Sequence, residues 1–241
     1  MTTFAHVLAR LLRTDPGRPL LTYYDHATGE RVELSTTTYA NWVAKTASLL
    51  VEEHGLERGQ GLHVDLPTHW LGPVFLGAAW TVGLVVTTPE AADAVVCGPD
   101  GLATWAERAA DLPVLACSLL PMGVRFVEPL PPGVHDVGVE VWSQPDAFIA
   151  WDPPVDDDLA LPGVSHAELW SAAAAGSLLT DGGRLLTEAN PASPPGIATL
   201  VEPLARGGSL VLVSHADPER LEATYAAERA TARFPAQPAR S

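Results

Sequence analysis

Lysine is almost missing from this chain: Lys45 stands alone beside thirteen arginines. Acidic residues number 29 against 14 basic ones, a net charge of −15. A field of that sign repels nucleic acid and anionic lipid, so neither a nucleic-acid nor a membrane partner is expected. It also disfavours polyphosphates unless a local site overrides it. Cysteine is scarce too. Cys97 and Cys117 each end a short apolar run, "DAVVC" and "PVLAC". Two cysteines do not make a disulfide scaffold, and they read as buried, reduced thiols of a cytoplasmic protein. Glycine patterns for phosphate are lacking, since neither G-x-G-x-x-G nor G-x-x-x-x-G-K-[ST] occurs. His6, His26, His54, His63, His69, His135, His166 and His215 form no H-x-H or H-x-x-x-H and have no cysteine at ligand spacing. No metal is therefore expected. The opening "MTTFAHVLARLLRTDPG" carries apolar residues at helical spacing with arginines between them. It lacks the unbroken apolar stretch and small-residue cleavage site of a signal peptide.

Charge is absent from Leu66 to Pro89, "LPTHWLGPVFLGAAWTVGLVVTTP". That run is long enough to span a bilayer. Pro67, His69, Pro73 and three glycines interrupt it, and "LVVT" after Gly83 has strand character. It reads as a buried helix followed by a buried strand.

What is present is alternation. Phe4, Val7, Leu8, Leu11 and Leu12 share one helical face, stopped by "TDPG". "LLTYYD" and "RVEL" form a hairpin around "HATGE". Ser35 caps a helix over 36–53. Strands "GLHVDL", "LVVT", "AVVC", "VLAC", "AFIAW", 184–188 and "SLVLVS" alternate with helices "THWLGPVFLGAAWTV", "GLATWAERAA", 166–178 and 196–205. Asp217-Pro218 opens a last helix. The tail "FPAQPARS" reads as frayed, over 236–241. Short Val/Leu-rich strands between helices predict an α/β domain over 1–235, with a largely parallel, doubly wound sheet. With 47% hydrophobic residues the chain can fill such a core.

The candidate chemistry is thin. Asp156, Asp157 and Asp158 are consecutive, whereas a calcium loop spaces its carboxylates alternately, so they read as a solvated acidic loop. Ser165 and His166 are adjacent and lack a G-x-S-x-G elbow. "SHAE" reads instead as a capping box between Ser165 and Glu168. "VVCGPDGLATW" offers a glycine turn before a helix, where an anion could bind. Asp100 inside that turn works against it.

Several stretches together resemble the opening of the AMP-binding, acyl-adenylate-forming enzymes: acyl-CoA synthetases, peptide-synthetase adenylation domains and luciferases. The hairpin leading into "YANWVAKTASLL" carries the resemblance, with "HGLERGQGLHVDLP" and the apolar helix running into "GLVVTT". "GVSHAELW" resembles the helix that follows the family's phosphate loop, and "LARGGSLVLVSHADPERLEATYAAERATARFP" a later strand–helix–strand unit. The match is nearest to a small actinobacterial family with faint AMP-binding similarity. The resemblance implies the fold of the first half of the large domain. In the enzymes, a Ser/Thr/Gly-rich loop ending in Pro-Lys-Gly wraps ATP phosphates with backbone N–H groups and a lysine. Here that place reads "PPVDDDLALPGV", with carboxylates and no lysine. Coulomb repulsion of a polyphosphate there costs on the order of 1 kcal/mol per charge pair even when strongly screened. The resemblance also implies that the second half of the large domain, with its adenine- and ribose-binding residues, and the small domain with the adenylation lysine, are missing. Lys45 matches no catalytic position. No catalytic, cofactor-binding or metal-binding residue carries over, and no cofactor is expected.

The leading expectation is a pseudoenzyme that acts by protein association or by binding a small acyl or carboxylate ligand. A flank exposed by truncation predicts a homodimer or a heteromeric partner. The alternatives are residual adenylate-forming activity, completed by another chain, and an unrelated enzyme at the strand ends near Cys97, Pro99, Cys117 and Trp151-Asp152.

Overall fold

The computed structural model describes residues 2–194 and 196–235. The expected frayed tail at 236–241 lies outside the described residues. The chain opens with α1 (Phe4–Thr14), the hairpin β1 (Pro19–Asp25) and β2 (Arg31–Ser35), and α2 (Thr36–Ser48), which runs on through a π-helical turn at Leu49–Glu53. Then come β3 (Gly61–Asp65), α3 (Leu71–Val82), β4 (Val85–Val86), β5 (Ala94–Cys97), the short α4 (Leu102–Ala106), β6 (Val114–Ala116), β7 (Val134–Asp136) and α5 (Val137–Glu140). A small hairpin, β8 (Leu159–Leu161) and β9 (Val164–Ser165), leads into α6 (His166–Ala174). β10 (Arg184–Thr187), α7 (Ala198–Ala205), β11 (Ser209–Ser214), α8 (Pro218–Ala227) and β12 (Ala232–Phe234) follow.

The strands divide between two five-stranded sheets, ordered β12-β10-β11-β1-β2 and β4-β3-β5-β6-β7. All pairings in both are parallel except the β1–β2 hairpin. Alternation along each strand shows why both faces must be covered. In the first sheet Leu185, Leu210 and Leu212 join the main core, while Leu186, Val211 and Val213 turn to the far side, against Leu221 of α8. In the second, Val96 and Leu115 join the main core, and Val95, Val114 and Ala116 pack on Trp105 of α4. The main core therefore lies between the sheets, filled by α1, α2, α3, α6 and α7.

α3 is the centre of that layer. Every residue of it except Thr81 is buried. The uncharged run is thus a core helix, and no helix among the described residues is long and apolar enough to cross a membrane. Gly83 ends α3 at φ 91°, a left-handed conformation that a side chain would strain, and its N–H bonds Ala79 O.

Three expectations need correction. "AFIAW" at 147–151 forms no strand. Pro145, Pro153 and Pro154 flank it and cannot donate to a ladder. Phe148 packs on the core, while Ile149 and Trp151 point outward. The helix of "GLATWAERAA" is confined to α4, and the remainder continues in i→i+3 turns such as Arg108 N to Trp105 O. α6 stops at Ala174: Gly176 N turns back to Ala173 O at 3.2 Å, and the Glu202 carboxylate fills the space beside Gly176, 2.0 Å from where a Cβ would stand. That carboxylate accepts from Leu178 N at 2.9 Å.

A polar cluster clamps the first sheet. Glu228 accepts from the Tyr24 hydroxyl and from Arg184, both at 2.5 Å, and from Arg31 at 3.0 Å. Burial raises the Glu228 carboxyl pKa, but these donors outweigh it and hold it below its usual value. The stabilisation from a depressed carboxyl is present above the unfolded value of 4.5 and is lost as pH falls through the folded one. Glu228→Gln is expected to cost about 1–2 kcal/mol at neutral pH, discounted for partial exposure. Urea unfolding at pH 7 and pH 3 checks it, since the deficit should shrink in acid.

Candidate functional site

The carboxyl ends of strands from both sheets meet in one crevice, where open α/β sheets hold their ligands. β1 delivers Asp25, β10 leads to Glu188 and Asn190, β11 delivers Ser214 and His215, and β3 delivers Asp65 through His69. Two hydrogen bonds stitch the sheets together: Asn190 Nδ2 to Leu66 O at 2.6 Å and Thr68 Oγ1 to Glu188 O at 3.5 Å. A cavity flanks the seam on each side.

The first, about 480 Å³, is lined by Asp25, Glu30, Glu188, His69 and His215, among others. Asp25 accepts from Ala27 N at 2.8 Å and pairs with His215 Nδ1 at 3.0 Å. Burial raises its pKa, yet these partners hold it below its usual value. Burial, then the nearby Asp25, push Glu30 upward, and Glu30 Oε1 is buried without a hydrogen-bond partner. The Tyr23 hydroxyl is paired with Ser214 Oγ at 2.8 Å and is pushed up to about 12 by burial. His69 Nδ1 accepts from Leu71 N at 3.3 Å, and burial pulls the ring down to about 4. With three carboxylates and a neutral imidazole, this cavity repels anions.

The second, about 470 Å³, is mainly apolar and includes Leu66, Val86, Leu161, Pro162 and Ile197. Its polar groups are already engaged: Asp65 Oδ2 accepts from Trp105 Nε1 at 2.6 Å, and His63 Nδ1 meets Thr87 O at 2.9 Å. A cavity of this size and character suits a small apolar ligand.

The turn at 152–163 borders that cavity through Leu161 and Pro162. It is not a free acidic loop. Arg58 grips Asp152 at 2.8 Å and Asp158 at 2.7 Å, and Asp158 also accepts from Val155 N at 2.7 Å. Asp156 accepts from Thr2 N at 2.8 Å. The backbone N–H of Thr2 holds Asp156, and Arg58 holds Asp158, below the usual carboxylate range. The carbonyls of the same residues close the next helix: His166 N donates to Asp158 O at 2.8 Å and Ala167 N to Asp156 O at 2.9 Å. Glu168 N donates to Ser165 Oγ at 3.2 Å, and Glu168 returns a carboxylate to Ser165 N at 2.8 Å, the predicted capping box. The first three donors of α6, the natural seat of a phosphate, are all occupied from within.

The remaining sequence candidates do not assemble a site. Cys97 and Cys117 are buried, and burial pushes the Cys97 thiol up to about 12 and Cys117 well above its usual value, so neither is a ready nucleophile. Trp151 is 97% exposed and Asp152 is tied to Arg58, which precedes the amino end of β3 rather than a carboxyl strand end. Pro99 and Asp100 sit in a 3₁₀ turn before α4. His166 is fully buried with both ring nitrogens unpartnered, and burial lowers its pKa. An arginine-lined groove at the opposite strand ends holds Arg10, Arg18 and Arg206. These cap carbonyls of Ala205, Gly207 and Gly176, which accounts for them structurally.

The absence of histidine ligand spacing did not anticipate one group. His54, His135 and Glu140 come together with their ligand atoms within 4.8 Å of one another. No linear motif could have shown this, since His54 and Glu140 stand 86 positions apart.

No family model matches the sequence. The chain is 36% identical over 236 residues to the TIGR03089 family protein of Mycobacterium tuberculosis, covering 93% of this chain and 95% of that protein. Its fold matches an acyl-CoA synthetase of Brucella canis with a TM-score of 0.79 at 18% identity, over 97% of this chain and 47% of that one. A benzoate CoA ligase of Burkholderia xenovorans matches with a TM-score of 0.71 at 18% identity, over 93% and 48%. The chain thus spans about half the length of the solved enzymes it matches. The architecture is that of the N-terminal domain of adenylate-forming enzymes, as the sequence resemblance implied.

Proposed function

The chain belongs to the TIGR03089 family, and from that premise we propose that it is a non-ligase protein on the AMP-binding fold that holds a small apolar acyl group in the cavity beside the 152–163 turn. One observation carries the reading. The turn that the sequence resemblance sets in the place of a phosphate loop uses its own carbonyls to satisfy the first N–H groups of α6 and holds the side chains of Asp152 and Asp158 around Arg58. A polyphosphate there would find occupied donors and like charge. The acyl class follows from the names of the structural neighbours and from the apolar lining at Leu66, Val86 and Leu161.

The test is calorimetry. Mg·ATP and a non-hydrolysable acyl-adenylate are expected to give no saturable heat up to about 1 mM, whereas short acyl or aryl amides bind at roughly micromolar to millimolar concentration. Leu161→Trp, which fills the cavity, should abolish that binding. Saturable ATP binding at tens of micromolar, about 6 kcal/mol, would overturn the reading in favour of a residual adenylate-forming site.

Protein association is a second reading, favoured by the segment after Pro145, where Ile149 is 89% and Trp151 97% exposed. Large apolar side chains displayed together suit an interface. Light scattering on the full chain should show a concentration-dependent mass that Ile149→Ser with Trp151→Ser removes. A monomer at all concentrations, with no partner retained by the wild type and lost by the variant, would exclude it.

A further inference from the structure

We propose that His54, His135 and Glu140 form a binding site for a divalent transition metal of the zinc type, at the edge of the second sheet and outside the crevice. The three residues come from elements brought together only by folding. His54 follows the π-helical turn that ends α2, His135 lies on β7, and Glu140 ends α5.

One carboxylate meets both rings: His54 Nε2 lies 3.1 Å from Glu140 Oε2, and His135 Nδ1 lies 3.0 Å from Glu140 Oε1. The rings stand edge to face with centroids 4.5 Å apart and planes at 79°. In a tetrahedral zinc site with metal–ligand bonds of about 2.1 Å, the ligand atoms are roughly 3.4 Å apart. The two carboxylate–imidazole separations lie a few tenths of an ångström below that value, and the three ligand atoms all lie within 4.8 Å of one another.

Two imidazoles and a carboxylate suit zinc, cobalt, nickel or copper, and fall short of the all-oxygen set that calcium or magnesium requires. The metal needs neutral rings. The His54 side chain is 3% exposed, against 28% for Glu140 and 41% for His135, so the site opens to solvent on one side. That leaves a fourth position for water.

The frame is stiff. Asp136 accepts from Gly138 N at 2.9 Å and Phe126 N at 3.0 Å, fixing the step from β7 into α5. The π turn, marked by His54 N to Leu49 O at 3.3 Å, shifts His54 off the regular helical position. Such turns recur where a helix re-aims a functional side chain. A carboxylate accepts from two rings, one on each oxygen, without a metal. The observation that favours a metal is that one ligand atom from each of three residues, on separate elements, lies within 4.8 Å of the other two.

The experiment is a titration of untagged, chelator-stripped protein with zinc chloride at pH 7.5, by calorimetry and by thermal unfolding. One equivalent should bind at roughly micromolar or tighter concentration and raise the melting temperature. His135→Gln and Glu140→Gln should each weaken binding by at least about 10- to 100-fold, the loss that perturbing even outer-shell partners produces. His6→Gln, remote from the cluster, should leave it unchanged. Cobalt should give the visible absorption of a low-coordinate site in the wild type and lose it in both ligand variants. No saturable heat up to about 1 mM zinc, or equal affinity in both ligand variants, would overturn the proposal.

Discussion

Trp80→Ala is expected to lower the unfolding free energy by about 3–5 kcal/mol, the range for removing a large aromatic side chain from a packed core. Trp80 lies on α3 and is fully buried. Its ring packs against Phe4 of α1 at 6.0 Å and Trp170 of α6 at 5.7 Å, so one side chain joins three helices of the central layer. It also carries a polar contact, since Nε1 donates to Ala160 O at 3.1 Å. Ala160 belongs to β8, so Trp80 ties the 152–163 turn to the core. The alanine variant leaves both a cavity and an unmatched carbonyl. Trp80→Phe restores most of the volume without the donor and should recover more than half of the loss. Urea denaturation reads both, and hydrogen exchange at 155–165 should rise in the alanine variant beyond the global change. A deficit under about 1 kcal/mol for Trp80→Ala would mean that the central layer repacks freely, contrary to the density of protein cores.

Acidification from pH 7 to pH 5 should cost about 2 kcal/mol through His69 alone. Burial pulls the His69 pKa from 6.5 down to about 4. It sits in front of α3, where the positive end of the helix also disfavours a second positive charge. The unfolded chain takes up the proton below 6.5 and the folded chain does not, so stability falls as pH drops from 6.5 towards 4 and then levels off. The full effect is about 3 kcal/mol. His26 and His166 are held low by burial as well and act in the same direction. The depressed carboxyls Asp25, Asp156, Asp158 and Glu228 act in a lower window, beneath their ordinary values of 3.8 and 4.5. The two sets are therefore separable. His69→Asn keeps an acceptor for Leu71 N and cannot charge, so its stability between pH 7 and pH 5 should drop by about 2 kcal/mol less than that of the wild type. An unchanged drop would assign the effect to other groups.

These two side chains also mark how far the sequence could be read. The uncharged run around Trp80 was legible as a buried helix because its punctuation rules out a membrane span, and α3 is that helix. The Ser165–Glu168 capping box and the Asp217 cap were legible because each is a contact between near neighbours. The 147–151 strand was misread. A run of apolar residues says that a segment can pair, but pairing also needs a free edge and donors, and the flanking prolines remove donors.

The aspartates at 156–158 show the same limit from another side. Their carboxylate character and the missing lysine were plain in the sequence. The pairing of Asp158 with Arg58, a hundred positions away, was not. The histidine–glutamate group at the edge of the second sheet left no linear trace at all.

By itself, then, the sequence determined the alternation of strands and helices, the local caps and the sign of the charge, because these depend on residues within a turn or two of each other. Only the tertiary structure decided that the strands divide into two sheets around one helical layer, that the α6 donors are consumed from within, and that His54 faces His135. Those outcomes depend on which distant surfaces bury each other, and burial is a property of the whole chain rather than of any stretch of it.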